Sequence, residues 1–195
     1  MLVSQAIGQD HRYLDECHDK LKAAPTTEEQ IKWRNMLVWN LARHAISEEL
    51  IVYPAMVQHL GAKGKELTET DFQQHQAVKE DLHKLQSMSP TDPAFSHLLE
   101  QLMHDLHTHI AHEKDVDMPA LEGAISEEES ARIARSFVRT KQIVPTKPHP
   151  DAPTGSPLQE GLAGLLAAPI DKLRTLMESF PEEETGGVEV DWSDL

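Results

Sequence analysis

Apolar residues recur at three-to-four spacing along most of the first 125 positions, which is the period of an amphipathic helix. On the first such stripe lie Ile7, His11, Leu14, Cys17 and Leu21, predicting a helix over about 4–23 that stops before "APTT". "TTEEQ" offers a capping box, Thr27 with Gln30, to open a second helix. That helix carries Leu37, Leu41, His44, Glu48, Ile51 and Ala55 and runs to Leu60, where "GAKG" breaks it; Pro54 kinks or shortens it. Another capping box, Thr70 with Gln73, predicts the start of a third helix with Phe72, His75, Val78, Leu82 and Leu85, ending near Met88. A fourth begins near Pro93, a favoured first helical position, and carries Leu99, Leu102, Leu106, His109, Glu113, Val116 and Ala120.

These four stretches joined by short loops predict an all-α fold, an antiparallel four-helix bundle over residues 1–125. No strand-like alternation of useful length competes with it. Ser126 and Glu129 open a further helix over 126–141. A Pro-rich linker or strap follows at 142–157, then an amphipathic helix and acidic tail over 158–195. The apolar face of 158–177 needs a partner, either the bundle itself or another protein.

The stripes contain more than apolar residues. "HAISEELIVYPAM" from His44 and "HIAHEKDVDMPAL" from His109 both read His, three residues, Glu, five residues, Pro-Ala, at an offset of 65 positions. His11 and His75 stand 64 positions apart and precede them in the same order. About one His-x-x-x-Glu is expected by chance in a chain this rich in histidine. Two at one offset, each with a matched upstream histidine, indicate a duplicated helical hairpin. Four imidazoles and two carboxylates then point into one interior: His11, His44, Glu48, His75, His109 and Glu113. Buried carboxylates repel one another unless protonated or bound to cations. Two metal ions resolve the conflict, each with two histidines and with Glu48 and Glu113 bridging. Imidazole plus carboxylate suits iron, zinc or manganese, and thiolates are lacking.

At these residues the chain resembles the hemerythrin-like (HHE cation-binding) family of non-haem di-iron bundles. The resemblance covers about residues 4–125. It implies two iron ions with an oxo or hydroxo bridge, zinc or manganese being the lesser alternatives. It also implies a small ligand: O2, peroxide or nitric oxide. There is a departure. Oxygen-carrying members place a second histidine one turn after the first on the third helix, where this chain has Lys79, and an aspartate five residues after the histidine on the fourth, where Glu113 stands four residues on. The shorter ligand set is closer to members that sense iron or react with peroxide and nitric oxide. Tyr53 is a further candidate ligand, although an ideal helix places it opposite His44. The alternatives are an iron-responsive module whose metal stabilises the bundle, and an inert metal-binding bundle.

Charge narrows the partners. The net charge of −15 disfavours nucleic acid and anionic membrane, and no apolar run approaches the length of a membrane span. A single cysteine, Cys17, excludes an internal disulfide and makes cytoplasmic residence the default. Among the remaining histidines, His18 and His83 read as partly exposed, and His104, His107 and His112 as surface groups.

Overall fold

The computed structural model describes residues 1–144 and 180–181; the predicted linker and the amphipathic stretch 158–177 lie outside them. Every regular element among the described residues is helical. Helix α1 is Val3–Ala23 and α2 is Thr27–Ser47. A five-residue π-helical segment, Glu48–Val52, continues α2 directly into α3, Tyr53–Leu60. Helix α4 is Ala62–Ser87. Helix α5, Phe95–His112, passes through a second π segment, Glu113–Asp117, into α6, Met118–Ala124. Helix α7 is Glu127–Ile143.

The ends follow local chemistry. Helix α1 stops at Ala24, which is extended because the next residue is Pro25. The N-cap of α2 is Thr26, one residue before the expected Thr27, and its hydroxyl accepts from the Glu29 amide at 3.2 Å. Ser126 caps α7 in the same way, accepting from Glu129. Thr70 is not a cap. It lies inside α4, which starts eight residues earlier at Ala62, and its hydroxyl leans back towards the Glu66 carbonyl. "AKGKELTETD" contains no proline, and Leu67 and Asp71 continue the buried stripe of His75. The break before α4 is therefore one residue, Gly61, at φ +60°. Gly64 then lets α4 pass against α3, since a Cβ there would meet the Met56 carbonyl oxygen at 2.1 Å.

The proline positions depart most from expectation. Pro54 does not shorten the helical run, which continues to Leu60. It has no N–H, and its ring would collide with the Leu50 carbonyl in an ordinary α turn. The helix widens instead, and the Tyr53 N–H reaches back five residues to the Glu48 carbonyl. Pro119 has the same effect, with Met118 donating to the Glu113 carbonyl. One extra residue in the turn advances the buried face by one position. Val52 and Met56 are buried where Ile51 and Ala55 were expected, and Asp117 and Leu121 where Val116 and Ala120 were expected. Val116 is in fact 39% exposed.

The core has two apolar ends. Leu14, Cys17, Leu37, Leu41, Leu82, Leu85, Leu102 and Leu106 fill one. Val3, Ile7, Met56, Leu67, Leu121, Ile133 and Phe137 fill the other, which α7 covers. Full burial of each large side chain contributes about 1.5–3 kcal/mol. Between the ends every one of the four helices interrupts its apolar stripe with histidine, so a polar layer is held in the middle of the bundle. Phe180 packs beside Trp39 on the first cluster, with ring centroids 5.6 Å apart.

Candidate metal centre

All six residues singled out from the sequence are buried in that layer: His11 at 7% exposure, His44 and His109 at 1%, His75 and Glu113 at 2%, Glu48 at 0%. They arrive as two matched pairs. The Nε2 atoms of His11 and His44 lie 3.0 Å apart, with ring centroids at 4.7 Å and planes at 68°. Those of His75 and His109 lie 3.1 Å apart, with centroids at 4.6 Å and planes again at 68°.

Glu48 stands between the pairs. Its Oε1 is 3.0 Å from His44 Nε2, and its Oε2 is 3.2 Å from His75 Nε2 and 3.9 Å from His109 Nε2. Two convergent groups of possible cation ligands result, His11–His44–Glu48 and Glu48–His75–His109, and they share Glu48. Glu113 completes the layer, 3.4 Å from His11 Nε2. Donor atoms about 3 Å apart are spaced as the edges of a polyhedron whose centre lies about 2.0–2.1 Å from each. No carboxylate oxygen of Glu48 or Glu113 has a well-aligned hydrogen-bond partner. Fully buried carboxylates without partners are costly, and cations are the partners that the donor set fits.

The charges in the layer settle unevenly. Burial alone would raise the Glu48 carboxyl, but His44, His109 and His75 hold it well below the ordinary range. Burial and the Glu48 charge push Glu113 well above it. Burial would lower His44, yet Glu48 and Asp10 overcome this and raise it to about 9. Burial and the His44 charge drive His11 down to about 3.

Outside the ligand layer, each half orients one imidazole through its other nitrogen. Asp10 Oδ2 lies 3.2 Å from His44 Nδ1, and Gln74 Oε1 lies 2.9 Å from His109 Nδ1. Asp10 is itself held by Lys141 of α7 at 2.5 Å. His75 Nδ1 lies 3.0 Å from Glu49 Oε1, and Lys79 fastens both Glu49 oxygens at 2.6 and 2.9 Å. Lys79 thus anchors the partner of His75 from the position where oxygen carriers have a histidine. Tyr53 is turned inward by the first π segment, its hydroxyl 3.1 Å from His75 Nε2.

Sequence reasoning missed Asp10, Gln74, Glu49 and Lys141. Asp10 and Gln74 carried a signal, since each directly precedes the matched histidine of its half. Glu49 and Lys141 carried none without the fold. Of the other histidines, His18 is half-buried, His83, His104 and His107 are exposed, and His112 is only 30% exposed in its side chain, packed against Asp117 rather than free on the surface.

A helical bundle with a central layer of side chains that could hold cations fits a metal-binding class. Residues 3–121 match the model of the hemerythrin HHE cation-binding domain, and the chain belongs to that family. It is 48% identical, over 92% of its length and 88% of the relative's, to an uncharacterized hemerythrin-like protein of Schizosaccharomyces pombe. A DNA nickase of Nostoc sp. strain PCC 7120 is 21% identical over 74% of this chain and 40% of its own. No solved structure matches the chain significantly. No helix among the described residues is long and apolar enough to cross a membrane.

Proposed function

We propose that this chain is a di-iron protein that binds or reacts with a small ligand, O2, peroxide or nitric oxide. The two clusters meeting at Glu48 carry the reading, because one carboxylate between two histidine pairs is the arrangement that holds two cations side by side. His11 and His44 hold one ion, His75 and His109 the other, and Glu48 and Glu113 bridge. Iron held at these positions would supply redox capacity at an open coordination position, and zinc would not, because it has no redox chemistry. The protein's own part is to orient. Asp10 and Gln74 fix the rings of His44 and His109, while the leucines of one end and Met56 and Leu121 of the other exclude water from the layer. Lys79 stands where oxygen carriers have a histidine, which favours reaction or sensing over reversible carriage. Loading with ferrous iron without air, followed by exposure to air, tests the proposal. About two irons per chain and new near-ultraviolet absorption are expected. Less than one iron per chain in a folded sample overturns it.

The Lys141–Asp10–His44 series favours a second reading, an iron-responsive module. It ties α7 to the centre, so metal occupancy stabilises the element that leads into the C-terminal segment. Chelation would then raise proteolysis after Lys141; an unchanged digestion pattern eliminates this reading.

A further inference from the structure

Beside the central layer, three further ligating groups converge. Asp71 comes from α4, His112 from the end of α5 and Asp117 from the second π segment. His112 Nδ1 lies 3.0 Å from Asp117 Oδ2 and 3.7 Å from Asp71 Oδ1. Asp71 is 1% exposed and Asp117 is 0% exposed. Neither oxygen of Asp71 has a hydrogen-bond partner, nor does Asp117 Oδ1. Two aspartates facing one another in a buried space are unfavourable as they stand.

The duplication shows that the fold does not require them. At the same offsets in the first half, the counterparts of Asp71, Asp117 and His112 are Ile7, Val52 and Ser47. Ile7 and Val52 are 2% and 0% exposed and pack in the apolar core, and Ser47 bonds back to the Arg43 carbonyl. One copy of the hairpin thus fills the two aspartate places with hydrocarbon and the histidine place with a hydroxyl bonded to its own helix, while the other fills them with two carboxylates and an imidazole.

We propose that Asp71, His112 and Asp117 form a third cation site, outside the central pair, for a divalent first-row transition metal. Two carboxylates and one imidazole are a mixed oxygen and nitrogen set that suits manganese, ferrous iron or zinc better than calcium, which takes six to eight oxygens. The His112 side chain is 30% exposed, which brings this edge of the site to solvent. Asp71 Oδ1 also lies 3.9 Å from His109 Nδ1, so the site abuts a ring of the central layer without sharing a ligand with it.

The test compares metal counts between variants, so it does not depend on how many ions the central layer holds. The full chain is loaded with excess zinc, dialysed and analysed for bound metal. The double variant Asp71→Ile, Asp117→Val copies the first half and should keep its helicity while binding one ion fewer than the native chain. An equal count in both overturns the proposal, leaving two acids that share a proton. His112→Ala supplies an independent measurement that does not depend on how the double variant repacks. It keeps both carboxylates and should weaken the last zinc in a calorimetric titration by no less than about 10–100-fold, the loss that even an outer partner causes. A native titration curve in that variant also overturns the proposal. Failure of the di-iron reading would show instead in the remaining ions, which both variants leave in place.

Discussion

The two hairpins of the bundle carry the same frame of candidate ligands in different electrostatic settings. The first, α1 with α2, presents His11 and His44; the second, α4 with α5, presents His75 and His109. Their nitrogen separations differ by 0.1 Å and their ring angles agree at 68°. Around that frame almost nothing is repeated. His44 has an aspartate behind it and His109 has a neutral amide. Glu48 is held well below the ordinary carboxylate range while its counterpart Glu113 is pushed well above it. Tyr53 reaches into the second pair, whereas its repeat counterpart is Met118. Geometry is set by helix phase and proline position, which the duplication preserved. Charge is set by single side chains, which were free to diverge.

The largest consequence concerns the two glutamates. Metal-free Glu48→Gln should cost about 3–5 kcal/mol of unfolding free energy, because it strips the buried His44 imidazolium of its main counter-ion. Glu113→Gln, which relieves the repulsion from Glu48 and leaves the His44 counter-ions in place, should cost less than Glu48→Gln. Both should lose metal. Denaturant unfolding of the two metal-free variants decides the matter, and equal costs would show that the halves are electrostatically alike.

Next in size is the pH dependence of metal uptake. His44, raised to about 9, carries a proton at neutral pH and must lose it to ligate, and burial and the Glu48 charge shift Glu113 in the same direction. Affinity should therefore rise with pH, by up to about tenfold per unit for each proton released, and level off for His44 above pH about 9. His11, held at about 3, releases none. The metal-free fold moves oppositely. The stabilisation from a histidine whose folded value exceeds its unfolded 6.5 is complete below that pH and is lost as pH rises through about 9. The gap in thermal midpoint between loaded and metal-free protein should widen from pH 6 to 9, and a constant gap would contradict the assignment.

The orienting partners give a smaller and more selective effect. Asp10→Asn should weaken the ion held by His11 and His44 by about 10–100-fold and leave the other near its native affinity. Gln74→Glu should strengthen the other ion, by giving His109 the kind of partner that His44 already has. Stepwise calorimetric titration separates the two, and a uniform loss at both ions would remove the distinction between the halves.

Much of this was legible in the sequence because periodicity and repetition are legible. The helical stripes, the four histidines and the two glutamates of the layer follow from spacing alone. The π turns did not follow, although both prolines were in view. Pro54 suggested a kink or a shortened helix, but not the widened turn that carries the helix on to Leu60 and, with its repeat at Pro119, moves Val52, Met56, Asp117 and Leu121 inward. The start of α4 was misplaced because Thr70 with Gln73 has the letters of a capping box, while tertiary burial of Leu67 and Asp71 carries the helix through it. Asp10, Glu49 and Lys141 were invisible for a simpler reason. Their partners lie 34, 26 and 131 positions away, and only packing brings them together.

Tyr53 is where widening and asymmetry meet, and it gives the finest test. An ideal helix puts it on the side away from His44; the widened turn rotates its ring to 5.5 Å from that of His75. Burial and the Glu48 charge push its phenol well above the ordinary value in the metal-free layer, so without a cation it remains a neutral hydrogen-bonding group. Tyr53→Phe should then cost only about 1 kcal/mol of metal-free stability, the worth of one hydrogen bond. A ferric ion beside the ring would draw the proton off and give the phenolate a visible absorption band. Native ferric protein is expected to show that band, and Tyr53→Phe to lack it while binding the same amount of iron. Its absence from the native spectrum would return Tyr53 to a packing role and leave the second site with histidine and carboxylate alone.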